Sequence, residues 1–94
     1  MQTQAEAVQT SVPSSITSVT LVAANRRRKR LFIANTSTAI LFIRLDTAGV
    51  AATMTTGHSI QMAANTNLEL VGFTGAVTGI WAAANGQANL TEIM

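Results

Sequence analysis

Short runs of β-branched and bulky apolar residues, each closed by Asn, Gly, Ser or Thr, recur along most of this chain at a spacing of about ten residues. Runs of that length are too short for a helix to bury a stripe, and their Val, Ile and Thr lose side-chain freedom in a helix but pack well on a pleated surface. The pattern predicts an all-β protein. Residues 16–22 open the series; 29–35, 39–45, 59–63, 67–71, 76–83 and 88–93 follow. About seven short strands fit a small antiparallel β-sandwich or barrel, occupying a domain of residues 15–94.

The two-residue strand period assigns faces. Leu31 and Ile33 share one side of their strand, opposite Arg30, Phe32 and Ala34; Ile60 and Met62 point together; Leu68 and Leu70 turn inward with Glu69 outward. The cluster Asn35-Thr36-Ser37-Thr38 reads as the turn of a hairpin joining residues 29–35 to 39–45, and Asn85-Gly86 carries a strong hairpin signal. Gly79, inside a strand run, marks a bulge or a close backbone approach. Residues 1–14 are polar and closed by Pro13, and read as an N-terminal extended arm lying along its own domain or a neighbouring subunit.

Composition points the same way. Of the 48% hydrophobic residues, 16 are Ala, so the bulky core of a 94-residue chain is modest and packing against neighbours adds to it. Only 11% of residues are charged, which leaves much near-neutral surface of the kind that suits burial in an assembly. The expected state is a homo-oligomer. With no cysteine there is neither a disulfide nor a thiolate metal site. The first residues lack a basic and then apolar signal, and no stretch of about 18 apolar residues is present, so neither signal-directed secretion nor a membrane partner is expected.

Catalytic chemistry finds little to stand on. His58 is the single histidine, and any metal site would draw on four carboxylates, so no metal and no cofactor is expected. Asp46 and His58 could serve one of many Ser or Thr residues as a triad, but no nucleophile elbow accompanies them. Glu6, Glu69 and Glu92 are far apart in sequence, and the glycines form no phosphate-cradling pattern. The expectation is a protein without enzymatic activity.

The candidate site is the basic run Arg26, Arg27, Arg28, Lys29 and Arg30, which holds five of the six Lys and Arg residues and directly precedes the most apolar stretch. Three readings compete. As a nucleic-acid patch, the run supplies phosphate contacts with a steep salt dependence. Aromatic interleaving of the single-strand binders is missing, however, and strand alternation sets Arg26, Arg28 and Arg30 opposite Arg27 and Lys29. As an interface element, the run offers planar arginine forks to an acidic neighbour. As a solvated turn, it keeps a sheet edge from aggregating. An acidic protein partner is the expectation, with a nucleic-acid-binding β-barrel as the alternative.

The order of these segments also carries a resemblance. Val19-Thr20-Leu21-Val22-Ala23-Ala24-Asn25, the Arg-rich turn and Leu31-Phe32-Ile33-Ala34-Asn35-Thr36-Ser37 come first. A hydrophobic strand, the Gly57 loop, Phe73-Thr74-Gly75-Ala76-Val77 and Asn85-Gly86 leading to Leu90-Thr91-Glu92 complete the order. Over residues 15–92 this resembles small tailed-bacteriophage virion proteins of the capsid decoration (cement) or head-fibre-base type. The resemblance implies a β-sandwich or barrel on the surface of a phage head. There it would bind the major capsid protein or other virion proteins as a homo-oligomer, a trimer, and stabilise the capsid lattice. Connector, tail and fibre components belong to the same class.

Overall fold

The computed structural model of the chain describes residues 6–94, and the regular elements among them are all strands. They are β1 (Ala7–Pro13), β2 (Val19–Val22), β3 (Arg30–Asn35), β4 (Leu41–Asp46), β5 (Ile60–Met62), β6 (Thr66–Val71), β7 (Ala76–Trp81) and β8 (Gln87–Ile93). The strand beyond the seven expected is β1, formed by part of the segment read as an arm; residues 1–5 of that segment lie outside the described residues.

Two four-stranded antiparallel sheets form, in the orders β1-β8-β3-β6 and β2-β7-β4-β5. This is the strand order of an eight-stranded jelly roll. Only β4 and β5 are both consecutive in the chain and hydrogen-bonded to one another; every other pair of consecutive strands lies in opposite sheets. The expected hairpin of β3 with β4 is therefore an arch between sheets, and Asn85-Gly86 likewise carries the chain from β7 in one sheet to β8 in the other.

The first arch has a clear physical cause. Asn35 falls in register with Leu31 and Ile33, so its amide points into the core rather than into solvent. Its Nδ2 donates to the carbonyls of Ala39 (2.9 Å), Met62 (3.2 Å) and Ala63 (3.2 Å). Its Oδ1 accepts from Ser37 Oγ at 2.7 Å and from Trp81 Nε1 at 3.2 Å. One buried side chain thus ties together the starts or ends of four strands and satisfies backbone groups that the arch leaves unpaired. The second arch packs against the first: a Cβ on Gly86, where φ is +111°, would lie 2.6 Å from Ser37 Cα. Only glycine allows that approach and that backbone conformation together.

Between the sheets lie Leu31, Ile33, Leu90 and Ala88 from one side and Leu21, Leu41, Ile43, Met62, Val77 and Trp81 from the other. The expected alternation in β3 and β6 is present, with Leu31 and Ile33 buried and Phe32 half out. At Gly79 side chains rather than backbone come close: a Cβ there would meet Leu21 and Leu41 Cδ1 atoms at 3.0 Å, on the strand opposite the irregular register of β2 at residues 20–22.

Candidate functional site

The basic run occupies the connection between β2 and β3, at one end of the sandwich. It is not a single strand. Asn25 begins a tight turn in which its Oδ1 accepts from Arg27 N (3.0 Å) and its carbonyl accepts from Arg28 N (3.1 Å). Such turns favour Asn because its side chain can imitate a backbone turn. Lys29 N then donates to Ile93 O, Gly72 N donates to Lys29 O, and Arg30 enters β3. The expected split of the run into two alternating faces therefore applies only from Arg30 onward.

The turn sends Arg28 inward, with no side-chain exposure at all. Its Nε donates to Phe73 O (3.2 Å), Nη1 to Ala23 O (3.2 Å) and to Glu92 Oε2 (3.0 Å), and Nη2 to Gly75 O. These bonds lock the β2–β3 and β6–β7 connections to β8. A guanidinium suits the position because its planar fork spreads five donors over four acceptors, more than the three donors a lysine ammonium offers from one point. Arg28 is thus a structural clamp rather than a surface group. Counting it as a contact to a partner requires correction, because its donors are already engaged inside the chain.

Arg26, Arg27, Lys29 and Arg30 remain exposed. The ion pairs of the described residues show where net charge resides. Glu6 pairs with Arg27 at 3.6 Å, Glu69 with Arg30 at 3.6 Å, Glu92 with Arg28 and Asp46 with Arg44 at 3.1 Å. Six basic residues less four acidic ones give +2, and the two cations without a carboxylate partner among the described residues are Arg26 and Lys29. The surplus charge sits in one loop. The Arg27 and Arg30 pairs are long and solvated, so they hold their partners weakly and a better-placed carboxylate can replace them.

Next to this loop, the outer face of the first sheet carries few charges. Phe32, Ala34, Asn67, Glu69, Asn89 and Thr91 line a shallow open groove of about 440 Å³. Phe32 is 40% exposed, and Val71, on the edge strand β6, is 71% exposed. Phe32 and Ala34 of β3 form its centre, bordered by the amides of Asn67 and Asn89, the hydroxyl of Thr91 and the carboxylate of Glu69. Sequence reasoning missed this face as a unit, because its residues come from three strands whose order was not readable.

A second, polar depression of about 260 Å³ brings Arg44, Asp46, Thr56, His58 and Ser59 together, which gathers the residue types of a triad. Their bonds run elsewhere. Asp46 Oδ2 accepts from Arg44 Nε and Nη2, and its Oδ1 accepts from Ala48 N. His58 Nδ1 donates to Thr53 O at 3.0 Å, leaving Nε2 to accept from Gln61 Nε2 at 3.4 Å. Ser59 Oγ accepts from Leu45 N. No proton path among the described residues runs from a hydroxyl through His58 to Asp46. Among the described residues, no three His, Asp or Glu side chains converge as metal ligands.

No protein-family model matches the chain, and no curated protein matches it. Its fold is similar to that of a solved chain from Bacillus endospore appendages, described as a novel family of disulfide-linked pili. The TM-score is 0.57 at 19% identity, covering 96% of this chain and 85% of that one. At that identity the likeness is one of fold. This chain contains no cysteine, so the disulfide linkage named for those pili has no counterpart in it.

Proposed function

We propose that this chain is a non-enzymatic structural subunit of a protein particle. In its finer form the reading is a tailed-phage virion protein on the head surface, binding and stabilising the major capsid lattice as a homo-trimer. The observation that carries it is the concentration of the chain's surplus charge in Arg26 and Lys29, flanked by the loosely paired Arg27 and Arg30, beside a low-charge sheet face. That combination suits an acidic protein neighbour, where charge sets orientation and the neutral face supplies contact area. The likeness of fold to a chain of endospore appendages supports a structural role in an assembly. The sequence resemblance supports the phage form of it.

The test replaces Arg26, Arg27, Lys29 and Arg30 with Ser together, leaving Arg28 in place to hold the fold. Particles stripped of the protein are incubated with either version at physiological salt and sedimented. The variant is expected to stay in the supernatant while the natural chain pellets with the particles. Equal occupancy would contradict the electrostatic contact.

A further inference from the structure

β1 is an unusual strand in this fold. All seven of its residues pair with β8, from Ala7 opposite Ile93 to Pro13 opposite Gln87, yet only Val12 is even partly buried. The cause is a mismatch of lengths. β2, the edge strand of the opposite sheet, runs only from Val19 to Val22, so it cannot cover a seven-residue strand. Val8 and Thr10 share the inward side of β1 with Val12, being opposite Glu92, Leu90 and Ala88, but both are exposed, Val8 to 40%. β1 is therefore held by its backbone ladder, by Val12 packing against the core, by Ser11 Oγ donating to Asn89 Oδ1 at 2.8 Å, and by a 3.6 Å surface ion pair of Glu6 with Arg27. Segments with this little burial open first.

Opening β1 withdraws Val12, which packs against the core, but none of the fully buried core residues, all of which come from other segments. It also leaves two complementary edges: the freed strand and the bare ladder of β8. Residues 14–18, which join β1 to β2, can span roughly 17 Å when extended. They are pinned at their start by Ser14 N to Gly86 O and Trp81 N to Ser15 O, while Ile16, the next residue, is largely exposed.

We infer that β1 exchanges between copies of this chain, residues 7–13 of one copy taking the place beside β8 of another in the register they adopt within a single chain. The occupant of the bared edge is a second copy, because β8 already accepts this same segment over seven residues, so the pairing in trans repeats interactions that exist in cis. The exchange rests on the assembly reading only in that a second copy must be at hand.

The absence of cysteine makes a direct test available. Ser11 and Asn89 are opposite each other, and facing Cα atoms in antiparallel pairs lie about 4.5–5.5 Å apart, within reach of a disulfide. Full-length S11C and tagged full-length N89C are mixed at high concentration and oxidised. A disulfide heterodimer is expected, in clear excess over that from Q9C mixed with N89C, which is two residues out of register. The double variant S11C/N89C reports the pairing itself by closing an internal disulfide. No heterodimer, or equal yield from the two mixtures, would overturn the exchange; failure of the double variant to close would overturn the pairing it starts from. The readout needs no particle, so its failure is distinguishable from failure of the assembly reading.

Discussion

Arg28 and Glu92 meet inside the protein: Nη1 lies 3.0 Å from Oε2, with the arginine side chain fully buried and the glutamate side chain 17% exposed. Glu92 shares the inward face of β8 with Ala88 and Leu90, and Arg28 comes from the turn before β3, so the pair closes one end of the sandwich. Asn25 Nδ2 adds a contact to the same oxygen at 3.4 Å. The basic run therefore does two jobs, one residue clamping the fold and four facing outward.

This division predicts unequal effects of neighbouring substitutions. Arg28→Met removes a buried partner and leaves Glu92 and three carbonyls without it, for a loss of about 3–5 kcal/mol. Arg26→Ser changes stability by no more than about 0.5 kcal/mol. Urea unfolding followed by fluorescence of Trp81, the single tryptophan and fully buried, measures both. Equal midpoints for the two variants would contradict the clamp.

Asn35 predicts a chemical rather than a steric sensitivity. Its amide nitrogen faces three carbonyl oxygens, so Asn35→Asp, nearly the same shape, sets an acceptor where donors are required. Asn35→Ala is expected to cost at least about 2 kcal/mol, and Asn35→Asp more, because it brings a buried carboxylate against those oxygens. Thermal unfolding of the two variants decides the order. An Asp variant as stable as the natural chain would contradict the arch network.

Two glycines separate backbone strain from crowding. Gly72 has φ +86° and nothing within 4 Å of the place a Cβ would take, so Gly72→Ala costs only the left-handed conformation, about 1 kcal/mol. Gly86→Ala adds a collision with the Ser37 backbone and is expected to cost about 3 kcal/mol. Similar losses in urea unfolding would mean that the two arches do not pack as described.

Much of the fold is legible in the sequence because strand burial follows a period of two: Leu31, Ile33, Leu68 and Leu70 are readable as inward from their own neighbours. Sheet choice is not. Asn35-Thr36-Ser37-Thr38 and Asn85-Gly86 have the composition of hairpin turns, and what makes them arches is an inward amide and a contact between residues 37 and 86. The burial of Arg28 is hidden for a similar reason, since its partners lie as far as 64 positions away. One signal was available: Glu92 follows Ala88 and Leu90 in core register, and an inward carboxylate calls for a buried cation. The outer face of Phe32, Asn67 and Thr91 depends on the order β8-β3-β6, which no local pattern specifies.

The central claim is that this chain is a repeating structural subunit held to its neighbours through the loop of residues 26–30. Electron cryomicroscopy of particles purified from the source of the sequence tests it most directly. The account predicts copies in a repeating array, with Arg26, Arg27, Lys29 and Arg30 within ion-pair distance of carboxylates on an adjacent protein and Arg28 still inside its own chain. Copies whose loop lies against nucleic acid, or faces open solvent, would contradict it.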